Sequence, residues 1–499
     1  MNILNDNSIA SAVNINLKHV ANVDAAALRP EKLICIGQGG DGKTAKVNKL
    51  VYSSSADDIG STYGFGSPLH RMAKKLFPLA GNGSNVDTYF LQVAAPTGAK
   101  AEVKTVTATG TATKTFNGKF KYRDMIFEAA ADVAGKVATS TNNNPAQDTR
   151  KTDLNIFETT TIYFAVAKGD TAATIAANIA EALAQDVDKP FGVAAENGVL
   201  TLTAKWAGSD SAFEIEITDE NDDTIASSTH GVKFETARTA EAAGVGTIPA
   251  DALAQIDAET MVTRVASQFA TEAVLNALKD KFTVLHDGLN SQYVICYSAI
   301  LAPEKETSGK WDTETLKTNA DKRRDDFVNV QIVGDYPGRL QKLDYKERDR
   351  LLKSGVPNLI LKSNGTWQIG DLCTFYHPEN EQNPAYRFDR TVTLAGNITY
   401  VIRQIFEGEE WKSVIFVDGT EPTTNPAAKT LKDVRAAVNK VIGVLGRNAI
   451  LTNVKESQKL TKVSFNSVNP DRIDVLNKLF YSNCGRIYNF DNLTSFNYK

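Results

Sequence analysis

The chain is poor in the residues that build metal and redox sites. Its 499 residues include four cysteines and five histidines, and no two cysteines form a C-x-x-C pair. No histidine stands at metal-ligand spacing from another histidine or cysteine, so the sequence predicts no metal site and indicates no cofactor. We expect its cysteines to be reduced thiols, with Cys35 and Cys296 buried because both lie in apolar runs.

Long apolar runs are also missing. No stretch approaches the roughly 18 continuous apolar residues of a membrane-spanning helix, so we expect no direct membrane insertion. The N-terminal stretch has no basic start followed by an apolar block, and we expect no general secretion signal. Hydrophobic residues make up 42% and charged residues 23% of the chain, as in soluble globular proteins. The length suffices for about three or four domains.

Charge is unevenly distributed along the chain. The net charge is -4. Residues 425–499 nevertheless contain 12 Lys and Arg against 5 Asp and Glu, a net charge of +7. Residues 101–245 contain 13 against 21, a net charge of -8. The basic end indicates either an acidic partner, nucleic acid or protein, or simply a solvated basic face.

One stretch resembles a nucleotide-binding motif. Gly37, Gly42, Lys43 and Thr44 match the phosphate-loop pattern G-x-x-x-x-G-K-[ST], and the apolar run "LICI" precedes it. A phosphate loop must open a helix, whose N-terminus binds the phosphates. The residues after Thr44 indicate a short strand instead, "KLVYSSS". We therefore favour a Gly-rich connection over a phosphate loop, with nucleotide binding as the alternative.

The predicted secondary structure alternates between two characters. Residues 26–95 and those after 246 mix strands and helices, as in α/β folds. Residues 101–245 carry alternating strands, an Asn197-Gly198 hairpin turn, and one helix expected to be capped by Asp170. The helix that begins at Pro68 is expected to be capped by Ser67. A basic helix is expected from near Pro426 to Gly446. The fold class is thus α+β and multidomain.

Four segments, taken in order, resemble tail sheath proteins of contractile-tailed bacteriophages. These segments are "LICIGQGGDG…YSSSADDIGSTYGFGSPLHRMAKKLF", "DTAATIAANIAEALAQD…PFGVAAENGVLTLTAKWAGSDSAFEIEI", "DYKERDRLLKSGVPNLILKSNGTWQI" and "NPDRIDVLNKLFYSNCGRIYNFD". In that family the Gly stretch is a connection, although its GKT triplet is unusual there. The resemblance implies a non-enzymatic subunit of stacked hexameric rings around a tail tube, contracting to drive the tube through the host cell envelope.

The resemblance also implies an organisation into an α/β sheath core, a β-rich inserted domain and two extended arms. In chain order the predicted parts are an N-terminal linking arm (1–25), the first part of the core (26–100), the outer inserted domain (101–245), the second part of the core (246–380), a tube-facing C-terminal domain (381–485) and a C-terminal linking arm (486–499). The arms of such subunits add strands to a neighbour's C-terminal domain.

Particular residues are expected to carry these roles. The arm residues expected to bind a neighbouring subunit are Val13, Ile15, Leu17, Ile487, Tyr488, Phe490, Leu493 and Phe496. The expected tube contacts are Lys429, Lys432, Arg435 and Lys440. The resemblance implies the tail tube, baseplate and tail terminator proteins as partners, but no nucleic acid. It places the protein in the virion after assembly in the bacterial host cytoplasm.

Several alternatives stay open at this point. A contractile bacteriocin or injection system uses similar sheaths and is not distinguished from a phage tail. A surface adhesin, suggested by the Thr-rich residues 101–245, would bind through those residues alone. Cys484, near the C-terminal arm, leaves open an inter-subunit disulfide.

Overall fold

The structure is a computed structural model that describes most of the chain. It describes residues 29–79, 81, 83–124, 159–257, 259–286, 291–301, 313–334, 343–364, 366–382, 384–421, 423–469 and 471–483. The described residues form two compact units. The larger unit is Pro30–Thr399, and the smaller unit comprises Arg29 and Tyr400–Asn483. Mixed helices and sheets in more than one unit confirm the α+β, multidomain class.

The larger unit begins with three strands and two helices. They are β1 (Lys32–Gly37), β2 (Leu50–Tyr52), α1 (Ala56–Tyr63), α2 (Pro68–Leu76) and β3 (Asp87–Gln92). As predicted, the Ser67 side chain caps α2 by accepting from the amide of His70, and Pro68 is the first helical residue.

Residues 101–245, here called the inserted region, contain the next elements. They are β4 (Val103–Gly110), β5 (Phe116–Asp124), β6 (Thr160–Val166), α3 (Ala172–Ala184), β7 (Phe191–Glu196), β8 (Val199–Ala204), β9 (Phe213–Asp219), α4 (Ser227–His230) and β10 (Val232–Ala240). The strands form two sheets, β10–β4–β8–β7 and β6–β5–β9. Both sheets and α3 contribute to one apolar cluster of their own, so the region has a hydrophobic core distinct from that of the central sheet.

Two local predictions in the inserted region have different outcomes. Asn197 and Gly198 form the predicted hairpin turn, with φ values of 49° and 83° that this turn requires. The cap of α3 is Thr171 rather than Asp170, because the Thr171 hydroxyl accepts from the Thr174 amide. Asp170 instead accepts from the amide of Ala167, at the end of the preceding strand.

The remaining elements of the larger unit come after the inserted region. They are α5 (Ala250–Ala254), β11 (Arg264–Ser267), α6 (Glu272–Leu285), β12 (Ile295–Leu301), α7 (Thr313–Asp321), β13 (Asn329–Gly334), α8 (Tyr345–Lys353), β14 (Leu359–Leu361), β15 (Trp367–Ile369) and α9 (Asp389–Glu407). The division between the two units falls within α9, at Tyr400, whereas the sequence suggested 381. The proposed domain boundaries stay predictions.

A six-stranded sheet forms the core of the larger unit. Its strand order is β13–β12–β11–β1–β3–β2, and only the edge strand β2 runs antiparallel to its neighbour. Helices cover both faces of this sheet. Successive side chains of β1 point to opposite faces, so they pack against different helices. Leu33 and Cys35 pack with residues of α1 and α2, whereas Ile34 and Ile36 pack with residues of α5 and α6. Cys35 and Cys296 are buried free thiols, as predicted, and Cys373 is a third. Cys484 lies outside the described residues.

The smaller unit is built from helices and short strand pairs. Its elements after α9 are β16 (Ile415–Phe416), β17 (Ala428–Lys429), α10 (Leu431–Arg447), β18 (Leu451–Thr452), α11 (Val454–Leu460), β19 (Lys462–Phe465), β20 (Ile473–Leu476) and β21 (Phe480–Tyr481). The basic helix α10 begins later than Pro426, because Thr430 and Asp433 form a capping box and the two residues before Thr430 pair with β16.

Candidate functional site

The Gly-rich stretch after β1 does not have the geometry of a phosphate loop. Residues 44–54 form turns and the strand β2, and the first helix begins only at Ala56. Lys43 and Thr44 are exposed, and Gly37 is buried at the end of β1. Gly42, with a φ of 70°, turns the chain. No helix N-terminus therefore stands behind Lys43 and Thr44 to bind a phosphate.

Protein groups use the backbone donors of this stretch. The Gln38 amide donates to Gln268 Oε1 (2.6 Å), and the Gly40 amide donates to the Tyr63 carbonyl (2.7 Å). The Asp41 amide donates to the carbonyl of Lys205 (3.0 Å). In a phosphate loop such donors face the ligand. Here they bind the core and the inserted region, which favours the interpretation as a structural connection.

The inserted region fills the crevice where α/β sheets commonly bind ligands. That crevice lies at the carboxyl ends of neighbouring strands whose helices go to opposite faces. Here those strands are β1 and β11, followed directly by Gln38 and Gln268. Residues 205–210 of the inserted region, which we call the plug, lie at this edge. Gln38 Nε2 donates to the Ala207 carbonyl (3.0 Å), and Gln268 Nε2 donates to the Asp210 carboxylate.

The plug is fixed by both apolar and polar contacts. Trp206 is 5% exposed and belongs to the apolar cluster on the α1 and α2 face of the core sheet. Lys205 Nζ donates to the carbonyl oxygens of Phe65 (2.6 Å) and Val187 (3.2 Å). Burial raises the pKa of Asp210 to about 6, although the amide of Gln268 opposes this shift by hydrogen bonding. The crevice is therefore occupied by the chain itself.

The two chain segments that enter and leave the inserted region, which we call its neck, are bonded to each other. Lys100 and Ala243 exchange backbone hydrogen bonds (2.7 and 3.0 Å). Glu102 is fully buried, and its carboxylate accepts from Arg238 Nε (2.8 Å) and the Ala242 amide (3.0 Å). The inserted region is thus held at this neck and, independently, at the plug.

The four predicted tube contacts lie on or just before α10, but their environments differ. Lys429 is bonded to Glu410 (3.0 Å) and lies over the Trp411 ring. Arg435 donates to the carbonyl oxygens of two residues in α11. Lys432 and Lys440 are exposed. Lys432, Arg435 and Lys440 therefore supply most of the accessible positive charge among the four.

The strands of the smaller unit form only pairs. Within the described part of this unit, β16 pairs with β17, β18 with β21, and β19 with β20. The β19–β20 hairpin carries exposed apolar side chains, including Phe465 (44%), Val468 in its turn (90%) and Leu476 (67%). Two-stranded hairpins are marginally stable alone. The unit thus offers short open edges flanked by apolar surface.

The predicted arm residues lie before and after the described part of the chain. Val13, Ile15 and Leu17 lie outside the described residues, as do Ile487, Tyr488, Phe490, Leu493 and Phe496. In the described part of the chain, no helix is long and apolar enough to cross a membrane. The same part contains no cluster of three His, Cys, Asp or Glu side chains that could hold a metal ion.

Comparisons with known proteins find likeness only among solved structures. No family model matches the chain, and neither does any curated protein. The sheath tail protein of Desulfitobacterium hafniense is 10% identical, with a TM-score of 0.41 over 94% of this chain and 100% of that one. The sheath tail protein Lin1278 of Listeria innocua is 10% identical, with a TM-score of 0.43 over 93% and 96%.

A third similar structure is a sheath complex of an extracellular contractile injection system in its contracted state. It is 8% identical, with a TM-score of 0.34 over 98% of this chain and 99% of that one. The solved structures that resemble this chain thus include sheath proteins of tails and of injection systems. Because the TM-scores are below 0.5, we base the function on this chain's own residues.

Proposed function

We propose that this chain is a structural, non-enzymatic subunit of a contractile tail sheath. It polymerises as stacked hexameric rings around a tail tube, and contraction of the stack drives the tube through the host cell envelope. The observation that carries the proposal is the smaller unit, in which every described strand belongs to a two-stranded pair. Because isolated strand pairs are marginally stable, such a unit is stabilised when strands from another chain pair with its open edges.

The linking arms supply those strands. Main-chain hydrogen bonds provide the affinity in strand addition, so polar segments such as residues 12–20 and 486–498 suit the role. The exposed Phe465 and Leu476 of the β19–β20 hairpin then gain cover from the apolar arm side chains. Each subunit is thereby joined to its neighbours in the ring stack.

The closed crevice supports the non-enzymatic part of the proposal. In α/β folds the carboxyl edge of the sheet is where substrates and nucleotides bind. Here the plug occupies that edge through Trp206 and Asp210, and the amides of the Gly-rich stretch bind protein groups. The energy for movement then comes from the metastable assembly and not from a nucleotide.

The basic face of α10 is the proposed tube contact. Lys432, Arg435 and Lys440 present positive charge, and each exposed ion pair contributes about 0–1 kcal/mol. Contacts of that size can break on contraction and still hold when repeated along a tube. The acidic inserted region lies outside, away from the tube. Baseplate and tail terminator proteins are the partners at the two ends.

The particle is a phage tail assembled in the host cytoplasm and retained in the virion. The sheath of a contractile bacteriocin or injection system is the alternative of the same class. The two differ in whether a genome-filled head is attached.

Electron microscopy of purified protein tests the assembly. We expect tubes or stacked rings from the full chain, with tube protein added as a template, and none from a variant lacking 486–499. Leu476→Lys should also prevent polymers, because it places a charge on the proposed docking edge. Tyr163→Lys is the matched control, since Tyr163 is 66% exposed in the inserted region against 67% for Leu476. Monomers from the full chain with tube protein present would overturn the proposal.

Nucleotide binding is tested in parallel. Calorimetry with ATP and magnesium should show no binding by the full chain. Binding that disappears in Lys43→Ala would favour the phosphate-loop alternative over a purely structural subunit.

A further inference from the structure

His70 lies where helix α2 meets the inserted region. Its side chain is 1% exposed. Its Nδ1 atom accepts a hydrogen bond from the Gly66 amide (2.9 Å), and its Nε2 atom is 3.7 Å from Asp188 Oδ1. Because Nδ1 is an acceptor here, the imidazole is neutral and carries its proton on Nε2, towards Asp188.

Gly66 connects this imidazole to the inserted region. Its φ of 77° is one that side chains disfavour, and a Cβ atom there would lie 2.2 Å from the Lys189 carbonyl oxygen and 2.7 Å from that of Asp188. The Gly66 backbone therefore packs directly on residues 188–189. Lys74 Nζ holds the same segment by its bond to Asp188 Oδ2 (2.6 Å). The His70–Gly66 bond and the position of residues 188–189 are thus coupled.

We propose that His70 is an acid-sensitive latch between the core and residues 186–189 of the inserted region. Once protonated, Nδ1 can no longer accept a hydrogen bond, and its N–H repels the N–H of Gly66. This breaks the bond between them, moves Gly66 and releases the segment packed on it. The opening is local: it releases Lys205 from the Val187 carbonyl, but the plug stays in place because Trp206 remains buried in the core cluster.

Charged groups from every neighbouring element act on His70. Burial is the largest influence and lowers its pKa to about 4. Asp188, from the segment before β7, and Asp57, from α1, favour the protonated ring. Lys74, from α2, and Lys205, from the plug, oppose it. The latch is therefore closed at neutral pH.

The pH response has a definite sign. The pKa of His70 is about 4 when the latch is closed, against 6.5 for a freely exposed imidazole. The open form binds the proton more tightly, so acid favours opening. Between pH 7 and pH 4 the opening equilibrium increases by about 100-fold, towards a limit of about 300-fold at lower pH.

Asp210 titrates in the opposite sense and separates local from complete opening. Because its pKa is raised to about 6 in the closed plug, protonation of Asp210 favours the docked state. If the plug left the core as well, Asp210→Asn would enlarge the acid response. Local opening predicts that this variant responds to acid as the wild type does.

Amide hydrogen exchange of the full chain, corrected for intrinsic pH dependence, tests the latch between pH 7 and pH 4. Peptides covering residues 64–70 and 186–192 should exchange faster in acid, while those covering the plug should not. His70→Asn keeps an acceptor for the Gly66 amide but does not titrate, so its exchange in these peptides should not respond to acid. His230→Asn, a buried histidine elsewhere in the inserted region, is the control and should behave as wild type. An unchanged acid response in His70→Asn would overturn the latch, as would faster exchange across the plug.

A second measurement needs no substitution. Exchange of the imidazole C2 proton, followed by mass spectrometry, gives the pKa of His70 in the wild-type chain. A pKa below 5 supports the latch. A pKa near 6.5 overturns it, because protonation would then not be coupled to opening.

Discussion

Replacing Asp210 by asparagine should stabilise the larger unit at alkaline pH. Asp210 is half-buried at the plug, where Gln268 Nε2 donates to its carboxylate. Its pKa is about 6 in the folded chain and 3.8 in an ordinary exposed carboxyl. Because the folded pKa is raised, Asp210 stabilises the fold fully below pH 3.8. That contribution disappears as the pH rises through 6.

The magnitude comes from the same values. The difference between 3.8 and about 6 corresponds to about 3 kcal/mol of unfavourable free energy once the carboxylate is ionised in both states. Asparagine keeps an oxygen for Gln268 but adds an amide that needs an acceptor. We therefore expect Asp210→Asn to raise the free energy of unfolding by about 1–3 kcal/mol at pH 8. At pH 4.5 the advantage should be about 2 kcal/mol smaller, because the folded chain then keeps Asp210 protonated.

Urea unfolding of the wild type and the variant, followed by tryptophan fluorescence at both pH values, measures this difference. Both proteins carry His70, so its titration cancels in the comparison. Equal differences at pH 8 and pH 4.5 would refute the reasoning, because a packing effect does not depend on the ionisation of residue 210. A variant less stable than wild type at pH 8 would show that the ionised carboxylate stabilises the plug.

Three further predictions concern the neck, the plug and the basic face. Glu102→Ala should lower the free energy of unfolding of the inserted region by about 1.5–3 kcal/mol, since it removes the acceptor of Arg238; calorimetry measures this, with the exposed Glu196→Ala as control. Trp206→Ala should cost about 3–5 kcal/mol, measured by urea unfolding, because it empties a site in the core cluster. Lys432→Glu should weaken cosedimentation with tube protein at low salt but much less at high salt; equal weakening at both would contradict an electrostatic contact.

Local signals in the sequence predicted much of the secondary structure. Ser67 and Pro68 started α2 as expected, and Asn197-Gly198 formed a hairpin turn. Both depend on backbone preferences of a few neighbouring residues. The prediction was wrong where two possible cap residues are adjacent: Thr171, and not Asp170, caps α3. That choice depends on a single hydroxyl bond, which no periodic pattern encodes.

The plug could not be predicted in the same way. Gln38 and Gln268 are 230 residues apart, and Asp210, which accepts from Gln268, belongs to a third part of the chain. None of the three belongs to an apolar or alternating pattern, so nothing in their neighbourhoods marks them. The same holds for His70 and Asp188, which meet only because the inserted region folds back on α2. Such contacts depend on the whole fold and not on local propensity.

The Gly-rich stretch shows why a correct motif pattern can indicate the wrong chemistry. Glycines allow close backbone approach, and a phosphate loop uses this to surround a phosphate. Here a Cβ atom at Gly40 would lie 3.2 Å from the Lys205 side chain, and one at Gly39 would clash with Gln92. The same absence of side chains therefore serves the approach of the inserted region. The glycine pattern indicates only that another group approaches the backbone closely. The element that follows distinguishes the two interpretations: a helix would have favoured nucleotide binding, whereas the strand β2 favours a structural connection.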